Sequence, residues 1–260
     1  MTGYEVLAVK FGEWHTTKSV LYHSFHAYDE PDADVLIDYY FWVVRDERRT
    51  VVVDCGFRPE VALRRGRQLV TPVREALSRV DVDPDDVSHV VLTHFHYDHI
   101  GNLDLFPRST VVTGAAEYGF WTGPTGSRPL FAPAVEAEEV AWVQEAHHEG
   151  RLLRLPEDDP RLPGISFHQV PGHTPGQIVV DVEGANDRRV VLASDASHTY
   201  EEFKLERPFH IASSLPDMYD GLAWLNRIQG EAEVVPGHDS QVLSRYPAAK
   251  ADPEIAVRIA

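Results

Sequence analysis

The chain has 260 residues, 41 of them acidic and 24 basic, for a formal balance of −17 with histidine neutral. Apolar residues make up 43% and charged residues 25%, an ordinary globular composition that argues against disorder, collagen and a membrane channel. The acidic balance counts against nucleic acid as a partner, since counterion release needs clustered lysine and arginine, and it fits a neutral small molecule better than a polyanion.

The N-terminus carries charged and polar residues from Glu5 onward and lacks the apolar stretch of a signal peptide. Residues 4–10 read as a strand. Residues 35–45 and 50–54 are β-rich and flank Asp46-Glu47-Arg48-Arg49, which predicts a hairpin. Cys55, the one cysteine, permits no internal disulfide and reads as core packing, so a reducing, cytoplasmic setting is expected. Thr71 suits an N-cap and Pro72 the first position of a helix, with Val73, Ala76, Leu77 and Val80 on one buried face. Residues 88–93 form a short apolar strand and residues 110–113 another. The glycine- and proline-rich stretch 121–133 reads as a loop, and 134–148 as a helix that stops before Gly150. His147 and His148 end that helix, where imidazolium suits the dipole, and read as structural. Strands follow at 151–155, 165–170, 177–182 and 189–193, then a helix at 216–229 and a strand at 233–235. Strands that pair first as hairpins and later alternate with helices predict an α/β domain with a mixed sheet and helices outside. No linker, repeat or apolar run of about 18 residues interrupts the chain, so residues 1–260 are expected to form a single domain without membrane contact, as a monomer or homodimer.

Among 14 histidines, the densest group is His94-Phe95-His96-Tyr97-Asp98-His99, directly after the strand ending VVLT. Strand ends in α/β folds present functional groups at a fixed height. His94 and His96 can point the same way from an extended turn, while Asp98 and His99 lie further along the chain. Neutral imidazole and carboxylate suit zinc or another borderline divalent metal. Further ligands follow the same pattern of an apolar strand and then a ligand. His173 stands in Pro171-Gly172-His173-Thr174-Pro175-Gly176, Asp195 in Leu192-Ala193-Ser194-Asp195, and His238 in Pro236-Gly237-His238-Asp239.

This ordered set resembles the metallo-β-lactamase superfamily, whose His-x-His-x-Asp-His motif is followed by a histidine, a bridging aspartate and a final histidine. The resemblance implies a four-layer αββα sandwich of two mixed β-sheets flanked by helices, with the site at one edge. It implies that His94, His96 and His173 hold one divalent metal, that Asp98, His99 and His238 hold a second, and that Asp195 bridges them. Zinc is the first expectation for both ions, with iron, manganese or cobalt as alternatives. The implied chemistry is hydrolysis of an ester, lactone, thioester or amide by a hydroxide shared between the metals. Asp54, in Val-Val-Val-Asp-Cys-Gly, matches an early aspartate that supports the site without binding metal.

Within the superfamily, the segments THFHYDHIGNL (93–103), PGHTPGQ (171–177) and SDASHTYEEF (194–203) are similar to N-acyl homoserine lactonases. Those enzymes place a tyrosine where this chain has His198, with Tyr200 two residues further on. His198 is expected to take the acid role, since imidazole donates or polarises near neutrality; a packing role is the alternative. Asp98, His198 and Tyr200 are thus the residues expected in catalysis, acting on a neutral lactone or related ester. Thr93 and Thr174 are candidate hydrogen-bond donors beside ligands, and Asn102 a turn-fixing residue. Residues 14–28, 121–133 and 209–211 are candidate pocket edges.

The enzyme alternatives are a thioesterase of the glyoxalase II type, a penicillin-type hydrolase and a nucleic-acid phosphodiesterase. The first normally has a basic C-terminal region, whereas only Arg245, Lys250 and Arg258 follow His238. A non-catalytic metal-binding module is the rival from outside the enzymes, and a closed ligand shell would be its mark.

Overall fold

The structure is a computed structural model and describes residues 3–260. The strands are β1 (Glu5–Thr17), β2 (Asp34–Arg45), β3 (Thr50–Val53), β4 (Gln68–Leu69), β5 (His89–Val91) and β6 (Thr110–Gly114). After them come β7 (Leu152–Leu155), β8 (Ile165–Gln169), β9 (Ile178–Gly184), β10 (Arg188–Ser194), β11 (Glu233–Pro236) and β12 (Ala256–Arg258). The helices are α1 (Lys18–Leu21), α2 (Pro59–Arg64), α3 (Val73–Arg79), α4 (Tyr97–Ile100) and α5 (Ala115–Trp121). The remaining four are α6 (Ala137–His148), α7 (Tyr200–Leu205), α8 (Leu215–Ile228) and α9 (Val242–Arg245).

The strands form two mixed sheets. The larger runs β12-β1-β2-β3-β5-β6-β7, with β4 added to β1, and the smaller runs β11-β10-β9-β8. The pairs from β12 to β3 are antiparallel and those from β3 to β7 parallel. Side-chain alternation along β1 and β2 explains why a sheet lies at the centre of the fold. Val6, Ala8, Tyr40, Trp42 and Val44 face the smaller sheet, in a core with Val180, Val182, Val190 and Leu192. Leu7, Val9, Tyr39, Phe41 and Val43 face the other way, against Ala76 and Leu77 of α3. Val140, Val143 and Ala146 of α6 join that second core, while Leu222 and Leu225 of α8 belong to the first. The layers are therefore helix, sheet, sheet, helix, as expected.

The β-hairpin, the helix before Gly150 and the later strands lie within a few residues of their predicted bounds. Four differences have physical reasons. The first strand runs on to Thr17, past a bulge between Lys10 and Gly12 that re-registers it against β2. Pro72, not Thr71, is the cap of α3, and its carbonyl accepts from Ala76 N–H at 2.9 Å. The 121–133 stretch begins as the last residue of α5 and ends in a helical turn, Ala132–Ala134. Helices α2, α5 and α7 were not predicted, because at six or seven residues each is too short to show a repeating apolar face. Among the described residues no helix is long and apolar enough to cross a membrane.

Candidate metal centre

Every predicted ligand follows the C-terminal end of a strand, as the sequence grammar required. Strands β8, β10 and β11 point the same way in the smaller sheet, and β3 and β5 run parallel in the larger. Their ends meet along one edge of the sandwich. Two groups of buried side chains gather there: His94, His96, His173 and Asp195, and beside them Asp98, His99 and His238. Within each group, one ligand atom from every residue lies within 4.8 Å of the others. Asp195 joins the two. Its Oδ2 is 3.3 Å from His173 Nε2 and 3.7 Å from His94 Nε2, and its Oδ1 is 2.9 Å from His238 Nε2 and 3.3 Å from His99 Nε2.

The imidazoles are held from behind, which leaves their other nitrogens facing the common focus. Nδ1 of His99 lies 2.8 Å from Asp54, Nδ1 of His238 is 3.0 Å from the Asp38 carbonyl, and Nδ1 of His173 is 2.9 Å from the Ile211 carbonyl. His94 and His99 each leave Nε2 buried without a hydrogen-bond partner. Buried polar atoms are seldom left unpaired, and one cation in each group would satisfy the two nitrogens. Burial holds His94 and His96 well below the usual imidazole range, helped by His99 for the first and by His173 for the second. Burial lowers His173 too. Neutral imidazole is the metal-binding form; His99 goes the other way, since Asp195, Asp54 and Asp98 outweigh its burial and hold it well above the usual range. Burial would raise the Asp195 carboxyl, but His238, His198, His99 and His94 pull it well below the usual carboxylate range. The residues fit a pair of divalent cations in both donor chemistry and placement.

Asp54 organises one side. It sits just past β3 in the left-handed region, with φ at 60°, which aspartate tolerates better than most residues. Its carboxylate accepts from Thr93 N–H at 2.8 Å and from the Thr93 hydroxyl at 2.8 Å, besides its contact with His99. Ser194, also left-handed at φ 47°, donates to Asp54 at 3.2 Å. Asn102 donates to the Cys55 carbonyl at 2.8 Å and ties the turn after α4 to β3. Cys55 itself is fully buried.

Glu117, which sequence reasoning missed, organises the other side. This fully buried residue of α5 accepts from Phe95 N–H at 3.0 Å and Trp121 Nε1 at 2.6 Å through one oxygen. Its other oxygen accepts from the Thr174 hydroxyl at 2.7 Å and Gly176 N–H at 3.0 Å. One carboxylate thereby joins the His94–His96 turn to the His173 turn. Residue 176 must be glycine, since a Cβ there would lie 1.9 Å from Glu117 N.

His198 lines the cavity with its ring stacked on Phe209, centroids 3.6 Å apart at 16°. Its Nδ1 is 3.1 Å from Glu202, and its Nε2 lies 3.0 Å from Asp195 Oδ2 but out of line for a hydrogen bond. Burial alone would lower this imidazole; Asp195 and Glu202 outweigh it and push it up to about 10. Tyr200, another residue expected in catalysis, is not part of the cavity lining. It stands in the first turn of α7, and its hydroxyl pairs with Tyr246 at 3.1 Å while Arg245 covers its ring at 4.1 Å. Its place is in the core between the sheets.

Over the ligands lies a cavity of about 250 Å³. Trp14 and Val20 from the N-terminal segment, Leu130 from the 121–133 stretch, and Phe209, His210 and Ile211 line it. Tyr22 and Phe25, from the same N-terminal segment, are core residues instead. Two arginines, Arg65 and Arg67, also line the cavity, so the acidic net charge does not describe the pocket. A second hollow of about 280 Å³ shares His96 and His173 and adds Phe120, Trp121 and Phe131.

A two-sheet sandwich with this ligand order at its edge defines a class, and comparison with known families agrees. The family model of the metallo-beta-lactamase superfamily matches residues 38–238, and the chain belongs to that superfamily. Among curated relatives, an N-acyl homoserine lactonase from a Bacillus species is 30% identical over 134 residues, covering 51% of this chain and 48% of its own. The chain thus spans about half the length of that relative. Among solved structures, a quorum-quenching N-acyl homoserine lactone lactonase superposes with a TM-score of 0.76 at 20% identity, over 94% of this chain and 96% of the other. A dizinc quorum-quenching lactonase, solved with a product, superposes with a TM-score of 0.72 at 14% identity, over 91% and 88%. These two likenesses establish a shared fold.

Proposed function

We propose that the protein is a dinuclear metal-dependent hydrolase that opens a lactone or related cyclic ester, with its 260 residues working as one domain. The observation that carries this reading is the convergence of seven buried imidazoles and carboxylates beneath a cavity open to a small molecule. His94, His96 and His173 would hold one ion, Asp98, His99 and His238 the other, and Asp195 both. Two zinc ions are the first choice, on the donor set and on the dizinc relative. Bound there, the pair would supply a nucleophile from water at neutral pH and polarise the carbonyl under attack.

The chain's own residues do the rest. Thr93, Asp54 and Glu117 fix the ligand turns, so the site needs little reorganisation during reaction. Glu202 at Nδ1 leaves Nε2 of His198 as the nitrogen that can deliver a proton into the cavity, where the departing alkoxide needs one. Asp98, assigned to the second ion, lines the same cavity and is the other residue we place in catalysis, through that ion. Phe120, Trp121 and Phe131 give an apolar substituent a place to lie. Turnover of a panel of lactones, thioesters, β-lactams and phosphodiesters by the metal-loaded protein tests the reading. Lactone hydrolysis is expected; hydrolysis of thioesters with no lactone turned over would refute it.

A further inference from the structure

We infer that Arg67 forms an anion subsite beside the metal ligands, and that the substrate is a lactone or ester bearing a carboxylate; this deepens the hydrolase reading above and rests on it. The backbone places Arg67 rigidly. Helix α2 ends at Arg64, Gly66 turns left-handed at φ +64°, and Arg67 N–H donates back to the Ala62 carbonyl at 2.8 Å while Gly66 N–H reaches Leu63 at 3.3 Å. This pair of bonds closes the helix end in a way that requires glycine between the two arginines. The chain then pairs with β1 at Gly12 and Glu13, which sets Arg67 against Trp14.

The guanidinium is clamped on two sides. Its carbon lies 3.8 Å from the centroid of the Trp14 ring, Nε donates to the Tyr97 hydroxyl at 3.1 Å, and Nη1 donates to the Arg65 carbonyl at 3.0 Å. The Tyr97 hydroxyl lies 3.3 Å from that of Tyr39, whose ring packs 5.0 Å from His238. Arg67 is thus fixed relative to the metal ligands, and it lines the cavity with His96, Asp98 and His238.

What it lacks is a carboxylate within ion-pairing distance; Asp98, across the cavity, acts on it only through space. Arg65 in the same wall pairs with Glu136 at 2.7 Å, and Arg58 pairs with Asp104 at 2.7 Å. Among the described residues no carboxylate comes within ion-pairing distance of Arg67, and its Nη2 donates to no protein atom. Burial works against the guanidinium, and Tyr39, Tyr97 and, less strongly, Asp98 hold it charged all the same. Holding Tyr97 alone would need one neutral donor. A fork with a free nitrogen, stacked and pre-organised, matches a carboxylate.

The test uses the metal-loaded full chain and a pair of γ-lactams, which mimic the lactone with a much less electrophilic carbonyl. One carries a ring carboxylate and the other a carboxamide. Calorimetric titration of the wild-type protein is expected to favour the carboxylate by roughly 10- to 100-fold, the worth of a hydrogen bond to a charged group. In Arg67→Gln the ratio should fall to near one, and in Arg67→Lys it should lie between. The corresponding lactones should show the same ratio in KM more than in kcat. Equal binding of both lactams by the wild-type protein overturns the inference. So does a carboxylate preference that survives Arg67→Gln, since the metals themselves would then be the anion site. Lactone hydrolysis without the preference leaves the hydrolase standing and removes the subsite. The preference without lactone hydrolysis does the reverse.

Discussion

Replacing Glu117 by glutamine changes one atom of a fully buried side chain and probes how the metal turns are held. Four donors converge on its two oxygens: Phe95 N–H, Trp121 Nε1–H, the Thr174 hydroxyl and Gly176 N–H. An amide has one oxygen to offer. Turned so that its nitrogen faces Thr174 and Gly176, it can donate to a rotated Thr174 hydroxyl, but Gly176 N–H cannot turn and is left buried without an acceptor. An orphaned buried donor costs about 1–3 kcal/mol. Burial already pushes the Glu117 carboxyl above its usual range, which trims the charge-assisted share of the other bonds. The expected loss for Glu117→Gln is therefore about 2 kcal/mol, read from urea midpoints of the metal-depleted protein at unchanged slope. Because two of the four donors flank His94, His96 and His173, metal affinity should also fall by roughly 10- to 100-fold. A midpoint within about 0.5 kcal/mol of the wild type, at unaltered metal affinity, would refute the idea that one carboxylate ties the two turns together.

His198→Phe keeps a ring on Phe209 and removes the proton donor; kcat on a lactone should drop by roughly 10²-fold or more with KM little changed, as steady-state kinetics will report. Glu139 of α6 is only 2% exposed and has no partner for either oxygen, and burial, then Glu136, pushes it up to about 8. Its folded-state pKa lies above the unfolded value, so the folded protein holds a proton that the unfolded chain has released between roughly pH 4.5 and 8, and stability falls by about 1.4 kcal/mol per unit of pH across that window. Glu139→Gln lacks this loss. Its stability advantage in urea titrations should grow from pH 5 to 8 and then level off, whereas an advantage independent of pH would show that Glu139 titrates normally.

The clustering of the candidate ligands was legible because most of them obey a local rule: an apolar strand, and then the ligand close behind its end. His94, His173, Asp195 and His238 share that rule, and the meeting of parallel strand ends turns it into one site. The core strands were legible for a similar reason, since Tyr40, Trp42 and Val44 alternate with Tyr39, Phe41 and Val43 and both faces are buried. Glu117 was not legible. A single glutamate near the start of a short helix looks solvent-facing, and only the packing of α5 beneath the His94 and His173 turns makes it a hub. The setting of Tyr200 was not legible, because the short helix that Thr199 caps shows no repeating apolar face in the sequence. Arg67 was hidden by averaging. Net charge pointed to a neutral ligand, and it carries no information about a single guanidinium in a cavity wall.

A site that holds two cations at once is tested directly by counting them. Elemental analysis of the purified protein should find about two divalent ions per chain. In His238→Ala, which removes a ligand from only one of the two groups, the count should fall to about one, with the His94, His96 and His173 half still loaded. A wild-type protein that saturates at one ion, or binds none under conditions where it is folded, would contradict the account.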